Sequence, residues 1–432
     1  MRRHILSLTA GLFALALAVA PAHAQGPSSC TTVSQNRYVR DVLFDLYFWN
    51  TELPPVDPAS FRSPEAYLDA VRFRPLDASF SYIGSRASEE AFYSDSQFIG
   101  FGFANSYDGL GLKILQVFPD SPASEAGLQR SDRIVSINDQ SVIALAASGG
   151  LGGALGPSQE GYGITIRFQR MDGSEVDARM TKRAVTIPTV SYLNLYEVDG
   201  RKVGYLFFRN FVEPSRAALD EAFNALRDVG ATELVLDVRY NGGGLVSIAQ
   251  HLASLIGGSR TEGQVFAEYF HNARNAFRNE VTRFEAKPNA LRLDRVVVIT
   301  TKGSASASEL VINALRPFVP VITVGDTSFG KPVGQYGLTF CDKVLYPVAF
   351  TLRNAQGQGD FFGGIAADCP AADDADRALG DAAEASLAEA LQVIRTGQCS
   401  APVADLQPQR RRMTRVEPLE RASGLQQVIG AH

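Results

Sequence analysis

A multidomain α+β chain is predicted from three observations. The hydrophobic pattern changes twice along the sequence, near Asp95 and near Pro188. After Pro188, short β-branched runs alternate with helical patterns, which is how a sheet with helices on its faces is written. The chain is also long enough: 432 residues, 45% hydrophobic and 20% charged, suffice for two or three full-sized cores. The expected order is a leader over 1–24, an N-terminal helical region over 25–95, a β-rich module over 96–187, an α/β core with a mixed sheet over 188–400, and a polar tail over 401–432.

The leader "MRRHILSLTAGLFALALAVAPAHAQ" begins with Arg2 and Arg3, continues apolar from Ile5 to Ala20, and ends in Ala22-His23-Ala24, the small-x-small pattern of a cleavage site. Cleavage is expected after Ala24, with export to the periplasm and no stable membrane anchor afterwards. The competing reading, a membrane-spanning anchor, is weaker because no later segment has about eighteen uninterrupted apolar residues. A lipid anchor on Cys30 is disfavoured because "PSSC" lacks an apolar residue three positions before the cysteine. A net charge of −5 offers no basic surface for nucleic acid, and Arg410, Arg411, Arg412 and Arg415 lie in the polar tail. Export favours disulfides among Cys30, Cys341, Cys369 and Cys399. Cys341 and Cys369 bracket what reads as two strands and a turn, so they are expected to pair, leaving Cys30 with Cys399. No CxxC spacing or histidine cluster accompanies the cysteines, and neither a metal nor an organic cofactor is expected.

In the N-terminal region, "NRYVRDVLFDLYFWN" and the stretch after Pro58 are amphipathic and are separated by a proline-rich break. From Gln97 the chain reads as strands and turns, "FIGFGFAN", "GLKILQV" and "YGITIRFQRMDGSEVDARMTKRAV", with one short helix after Ser121-Pro122. The core follows as "KVGYLFFRNF", the helix "EPSRAALDEAFNALRDVG", the strand "ELVLDVR", a glycine turn, the helix "GLVSIAQHLASLI", the strand "RVVVIT", a serine-rich turn with its helix, and "VPVITVG".

Two turns carry chemistry. In "LVLDVRYNGGGLVSIAQ" a buried strand enters Asn241-Gly242-Gly243-Gly244 and then a helix, which leaves backbone N–H groups uncovered beside a positive helix end. Such an anion site suits a phosphate or an oxyanion, or is only a tight turn; the P-loop lysine and a completed GxGxxG are both absent. In "TTKGSASASEL" the serines sit at a strand-to-helix junction, and the residues alone do not choose among Ser304, Ser306 and Ser308. Ser306 and Glu309 also fit a capping box, a purely structural role. A serine nucleophile needs a base. His251 lies in an apolar helix and reads as a core or edge histidine, whereas Lys331, in a glycine-bounded turn after an apolar strand, serves if burial lowers its pKa.

With "GSASASE", "VGDTSFGKPVGQ", "LDVRYNGGG" and "FIGFGFAN…SPASEAGLQRSDRIVSIN" together, residues from Phe98 to Cys369 resemble the Ser/Lys C-terminal processing peptidases, or tail-specific proteases. The resemblance implies Ser306 as nucleophile, Lys331 as base, Gln335 as the residue orienting the lysine, and the N–H groups of Ala307 and Gly243 as oxyanion donors. It also implies that 96–187 is a PDZ-like module whose loop Gly100-Phe101-Gly102-Phe103 takes the terminal carboxylate of a protein or peptide substrate. The module departs from the pattern in two places. Ser131-Asp132 replaces a Gly-Asp turn, and "VIALAASGGLGGALG" fills the groove-helix position, where each glycine costs about 1 kcal/mol of helix. A short groove wall is therefore expected. The rival readings are a catalytically silent adaptor binding peptide tails and a carrier of apolar ligands; an intact Ser/Lys set discriminates against both.

Overall fold

A computed structural model describes residues 26–401 together with Leu425 and His432. The expected leader and most of the expected tail, including its arginine cluster, lie outside the described residues. Among those described, no helix is long and apolar enough to cross a membrane.

The core is a six-stranded mixed sheet. Val190–Val198 runs antiparallel to Arg201–Phe208, and Glu233–Asp237, Val296–Thr300, Val321–Gly325 and Cys369–Pro370 follow in parallel. Its inner strands are buried and largely apolar because both faces are covered, whereas the edge strand Val190–Val198 exposes Tyr192, Leu193 and Leu195. Leu206, Phe208, Leu234, Leu236, Val296 and Val298 face the helices Ser215–Asp228, Val246–Gly257 and Ala307–Leu315. The alternate residues Tyr205, Phe207, Val235, Val297 and Ile299 face Ala385–Thr396. Parallel pairing puts the glycine turn after Asp237 and the serine turn after Thr300 at the same edge of the sheet.

The β-rich module contains a sheet of Phe103–Tyr107, Leu112–Val117, Arg133–Ile137, Gly163–Gln169 and Glu175–Thr181, with a separate pair formed by Gln97–Gly100 and Arg183–Thr186. The short helix after Ser121 is Pro122–Glu125, with the Ser121 hydroxyl accepting from Ser124 N. The glycine-rich segment forms two short helices, Val142–Ala147 and Leu151–Ala154. The module sits on the core through Arg130, which donates to Tyr240 Oη at 2.9 Å and to the Asp374 carbonyl at 3.1 Å.

The N-terminal region is helical over Thr32–Leu46, Pro64–Val71 and Arg86–Asp95, but it also supplies a strand. Tyr82–Ser85 pairs antiparallel with Lys343–Tyr346. Tyr38, Val42, Leu43 and Tyr47 share one apolar cluster with Val333, Phe340, Leu345 and Val348, so the first helices pack directly on the chain that follows Lys331.

The disulfides differ from the expected pairing. Cys30 joins Cys341 and Cys369 joins Cys399, not Cys341 with Cys369 and Cys30 with Cys399. Cys341 occupies a tight turn between Leu338–Phe340 and Lys343–Tyr346, against the start of the first helix, whereas Cys369 is on the edge strand of the large sheet. The bracketed segment therefore passes through three different sheets, and its ends do not meet. Because Cys369–Cys399 closes a loop of 30 residues, replacing both by serine is expected to lower the unfolding free energy by about 3 kcal/mol. The denaturant midpoint of oxidised protein measures this; an unchanged midpoint would mean that the bridge does not constrain the unfolded chain.

Candidate active site

The three serines have different fates. Ser304 is fully buried, and its hydroxyl donates to the Val238 carbonyl at 2.8 Å. Ser308 is buried and donates to the Asn241 carbonyl at 2.9 Å. Both stitch the serine turn to the strand and turn before it. Ser306 is half-buried and lines a cleft of about 420 Å³ shared with Lys331, Gln335, Ala307, Gly242 and Gly244. Its φ of +54° is an outlier for a residue with a Cβ, held by the bonds on either side. That conformation puts Ser306 at the first step of the helix Ala307–Leu315, whose early N–H groups have no intrahelical acceptor.

The glycine turn closes on the serine. A Cβ at Gly243, where φ is +104°, would lie 2.8 Å from Ser306 Cβ and 3.0 Å from Ala307 N, so only glycine fits. The N–H of Gly243 itself donates to Asn241 Oδ1 at 2.9 Å, and Gly242 and Gly244 are the glycines of this turn that line the cleft.

Lys331 is buried, and its Nζ donates to Gln335 Oε1 at 2.7 Å. The Gln335 amide in turn donates to the carbonyls of Phe80 at 2.7 Å and Tyr346 at 2.8 Å, which fixes which of its ends meets the lysine. Burial pushes the ammonium of Lys331 down to about 8, against a smaller opposite pull from the carboxylates of Asp77 and Glu309. A neutral amine is thereby accessible near neutral pH.

Two parts of this arrangement were not anticipated from the sequence. Glu309, read only as a capping residue, accepts from Ser306 N at 2.9 Å, Ser328 Oγ at 2.5 Å, Gly330 N at 2.7 Å and Lys331 N at 2.9 Å. One buried carboxylate thus clamps the serine turn to the lysine turn. Asp77, also fully buried, accepts from Tyr47 Oη, Phe80 N, Ser81 N and Ser81 Oγ, and so shapes the turn that offers the Phe80 carbonyl to Gln335. A capping-box motif was the visible signal for the first; nothing local signalled the second.

The histidines are engaged elsewhere. His251 Nε2 lies 3.1 Å from Asp220 Oδ1, and His271 Nε2 is 2.8 Å from Tyr336 Oη. Neither lines the cleft. In the β-rich module, Gly100 closes its strand, Phe101 is buried in the module core, and the N–H groups of Gly102 and Phe103, at the start of the next strand, both donate to the His432 carbonyl.

Comparisons with known proteins agree with this geometry. Residues 202–370 match the model of peptidase family S41, residues 34–82 that of the peptidase S41 N-terminal domain, and residues 113–147 that of a PDZ domain. The core of the chain thus carries a domain that matches peptidase family S41. Among curated proteins it is 31% identical over 250 residues to the carboxy-terminal processing protease CtpB of Bacillus subtilis, covering 57% of this chain and 50% of that protein. It is 27% identical over 285 residues to a carboxy-terminal-processing protease of Bartonella bacilliformis, covering 63% and 62%. The chain thus spans about half to three-fifths of the length of these relatives. A solved structure from Bacteroides fragilis, assigned to the S41 proteases, superposes with a TM-score of 0.67 at 24% identity over 84% of this chain and 97% of that one. That likeness concerns the fold.

Proposed function

We propose that the chain is an exported serine endopeptidase of the C-terminal processing type, with Ser306 as nucleophile and Lys331 as general base. The observation that carries the reading is the sorting of the serines: the hydroxyls of Ser304 and Ser308 are spent on backbone carbonyls, and Ser306 alone of the three opens on the cleft that holds a buried lysine. The neutral amine of Lys331 takes the Ser306 proton as Oγ attacks the scissile carbonyl. Negative charge on the carbonyl oxygen falls on the Ala307 N–H and an N–H of the glycine turn, both fixed before reaction. The lysine ammonium then protonates the departing amine, and the same amine activates water to release the acyl group. Gln335, held by two carbonyls, keeps the lysine aimed. The PDZ module takes the substrate's terminal carboxylate on the N–H groups of the Gly100-to-Phe103 loop. Leu245, Val246, Leu310, Val333 and Phe350 line the cleft and suit an apolar residue beside the cut.

One experiment tests chemistry and recognition together. Peptides with free and with amidated C-termini are incubated with wild type and with Ser306→Ala, and products are read by mass spectrometry. Cleavage is expected only with wild type and about tenfold less for the amides, since a charge-assisted hydrogen bond is worth about 1.5–3 kcal/mol. Cleavage surviving in Ser306→Ala would remove the serine from the mechanism, and equal cleavage of acid and amide would remove the carboxylate from recognition.

A further inference from the structure

The geometry points to a ligand already seated in the PDZ groove: we propose that His432 of the same chain occupies the carboxylate loop and competes there with substrate tails. The inference rests on the reading of that groove given above. Phe103 N donates to the His432 carbonyl oxygen at 3.1 Å, and His432 N donates back to the Phe103 carbonyl at 2.8 Å. This reciprocal pair is the antiparallel bonding by which an extended peptide adds to a sheet edge. Gly102 N donates to the same His432 oxygen at 2.8 Å, so two adjacent N–H groups converge on one acceptor. A Cβ at Gly100 would fall 2.8 Å from the His432 carbonyl carbon, which shows how closely the main chain approaches this loop. The His432 ring centroid lies 6.5 Å from that of Phe103.

A second anchor lies a short distance back along the tail. Leu425 packs against the cluster of Phe92, Phe98, Phe118, Val185 and Val212, where the module meets the core. Two attachment points on one chain keep His432 at an effective concentration on the order of millimolar. A substrate tail must displace it, and its apparent affinity falls by the fraction of time the groove is free.

The test uses the full chain carrying Ser306→Ala, the same protein lacking residues 425–432, and a Leu425→Asp variant that keeps His432. Amide hydrogen exchange at Gly102 and Phe103 reads docking directly. Exchange at both is expected to be at least about tenfold slower in the full chain than in the shortened one, intermediate in Leu425→Asp, and slow again when the peptide LQQVIGAH is added to the shortened chain. Equal exchange in all three proteins would overturn the proposal. Fluorescence anisotropy of a labelled octapeptide ending in a free valine carboxylate then reads competition, with binding to the shortened chain expected to be about tenfold tighter. Equal affinity for both chains, with the amides still protected, would overturn the competition. A shortened chain with exposed amides that binds LQQVIGAH but not the valine peptide would uphold His432 as the groove's ligand and sink the substrate-tail reading instead.

Discussion

Lys331→Arg is expected to lower kcat/KM by at least about 10³-fold, to the level of Ser306→Ala, with the double variant little worse than either single one. Arginine keeps the positive charge, but a guanidinium has no lone pair to take the Ser306 proton at working pH. In wild type the sign of the pH dependence follows from burial. Because the ammonium of Lys331 is disfavoured and titrates at about 8, the reactive form accumulates as pH rises through that value. The rate is therefore expected to climb tenfold per pH unit below the midpoint and level off above it. The same shift costs stability, since holding a buried ammonium at neutral pH opposes folding by about 3 kcal/mol relative to a lysine in water. Folding stability from this group is complete only above the unfolded lysine's pKa and declines as pH falls toward 8. A Lys331→Arg enzyme retaining a tenth of wild-type turnover would move the base elsewhere, and the engagement of His251 with Asp220 and of His271 with Tyr336 makes neither an easy replacement.

The parts of this site that were legible in the sequence are those built from neighbouring residues. Strand, glycine turn and helix follow one another from Leu234 to Gln250, and a buried strand that ends in a serine-rich turn before an apolar helix can be read from residue type and spacing alone. Parallel pairing of two such strands then places both turns together. What was not legible depends on contacts far apart in the chain. Ser306 could not be separated from Ser304 and Ser308 because the distinction lies in which hydroxyl reaches the carbonyls of Val238 and Asn241. The orientation of Gln335 rests on the Phe80 carbonyl, 255 residues away, presented by a turn that Asp77 organises. The cysteine pairing failed for a related reason: adjacency along the chain was taken for adjacency in space, whereas Cys341 and Cys369 belong to different sheets. The N–H of Gly243 was expected to face an oxyanion, and the Asn241 side chain that takes it is only two residues away, but its direction is a matter of turn geometry that residue type does not encode.

Glu309→Gln is expected to reduce kcat by about 10²-fold with little change in KM, although residue 309 touches no substrate. Its carboxylate receives four donors, from Ser306, Ser328, Gly330 and Lys331, and every one of its neighbours in that set donates. Three of those donors are backbone N–H groups, which favour the carboxylate and oppose the burial that raises its pKa. Glutamine is the same size but brings two donors of its own, which forces at least one buried N–H to lose its partner, at a cost of about 1–3 kcal/mol. The serine turn and the lysine turn are then no longer held by a common acceptor, and misplacement on the order of 1 Å is enough to cost two orders of magnitude in rate. Loss of rate alone would not separate positioning from general destabilisation. The pH profile does, because the Glu309 charge supports the ammonium of Lys331, and its removal shifts the midpoint of the rate below about 8. A variant with a lower melting temperature, normal turnover and an unmoved midpoint would make Glu309 a structural residue and leave the alignment of Ser306 and Lys331 to their own turns.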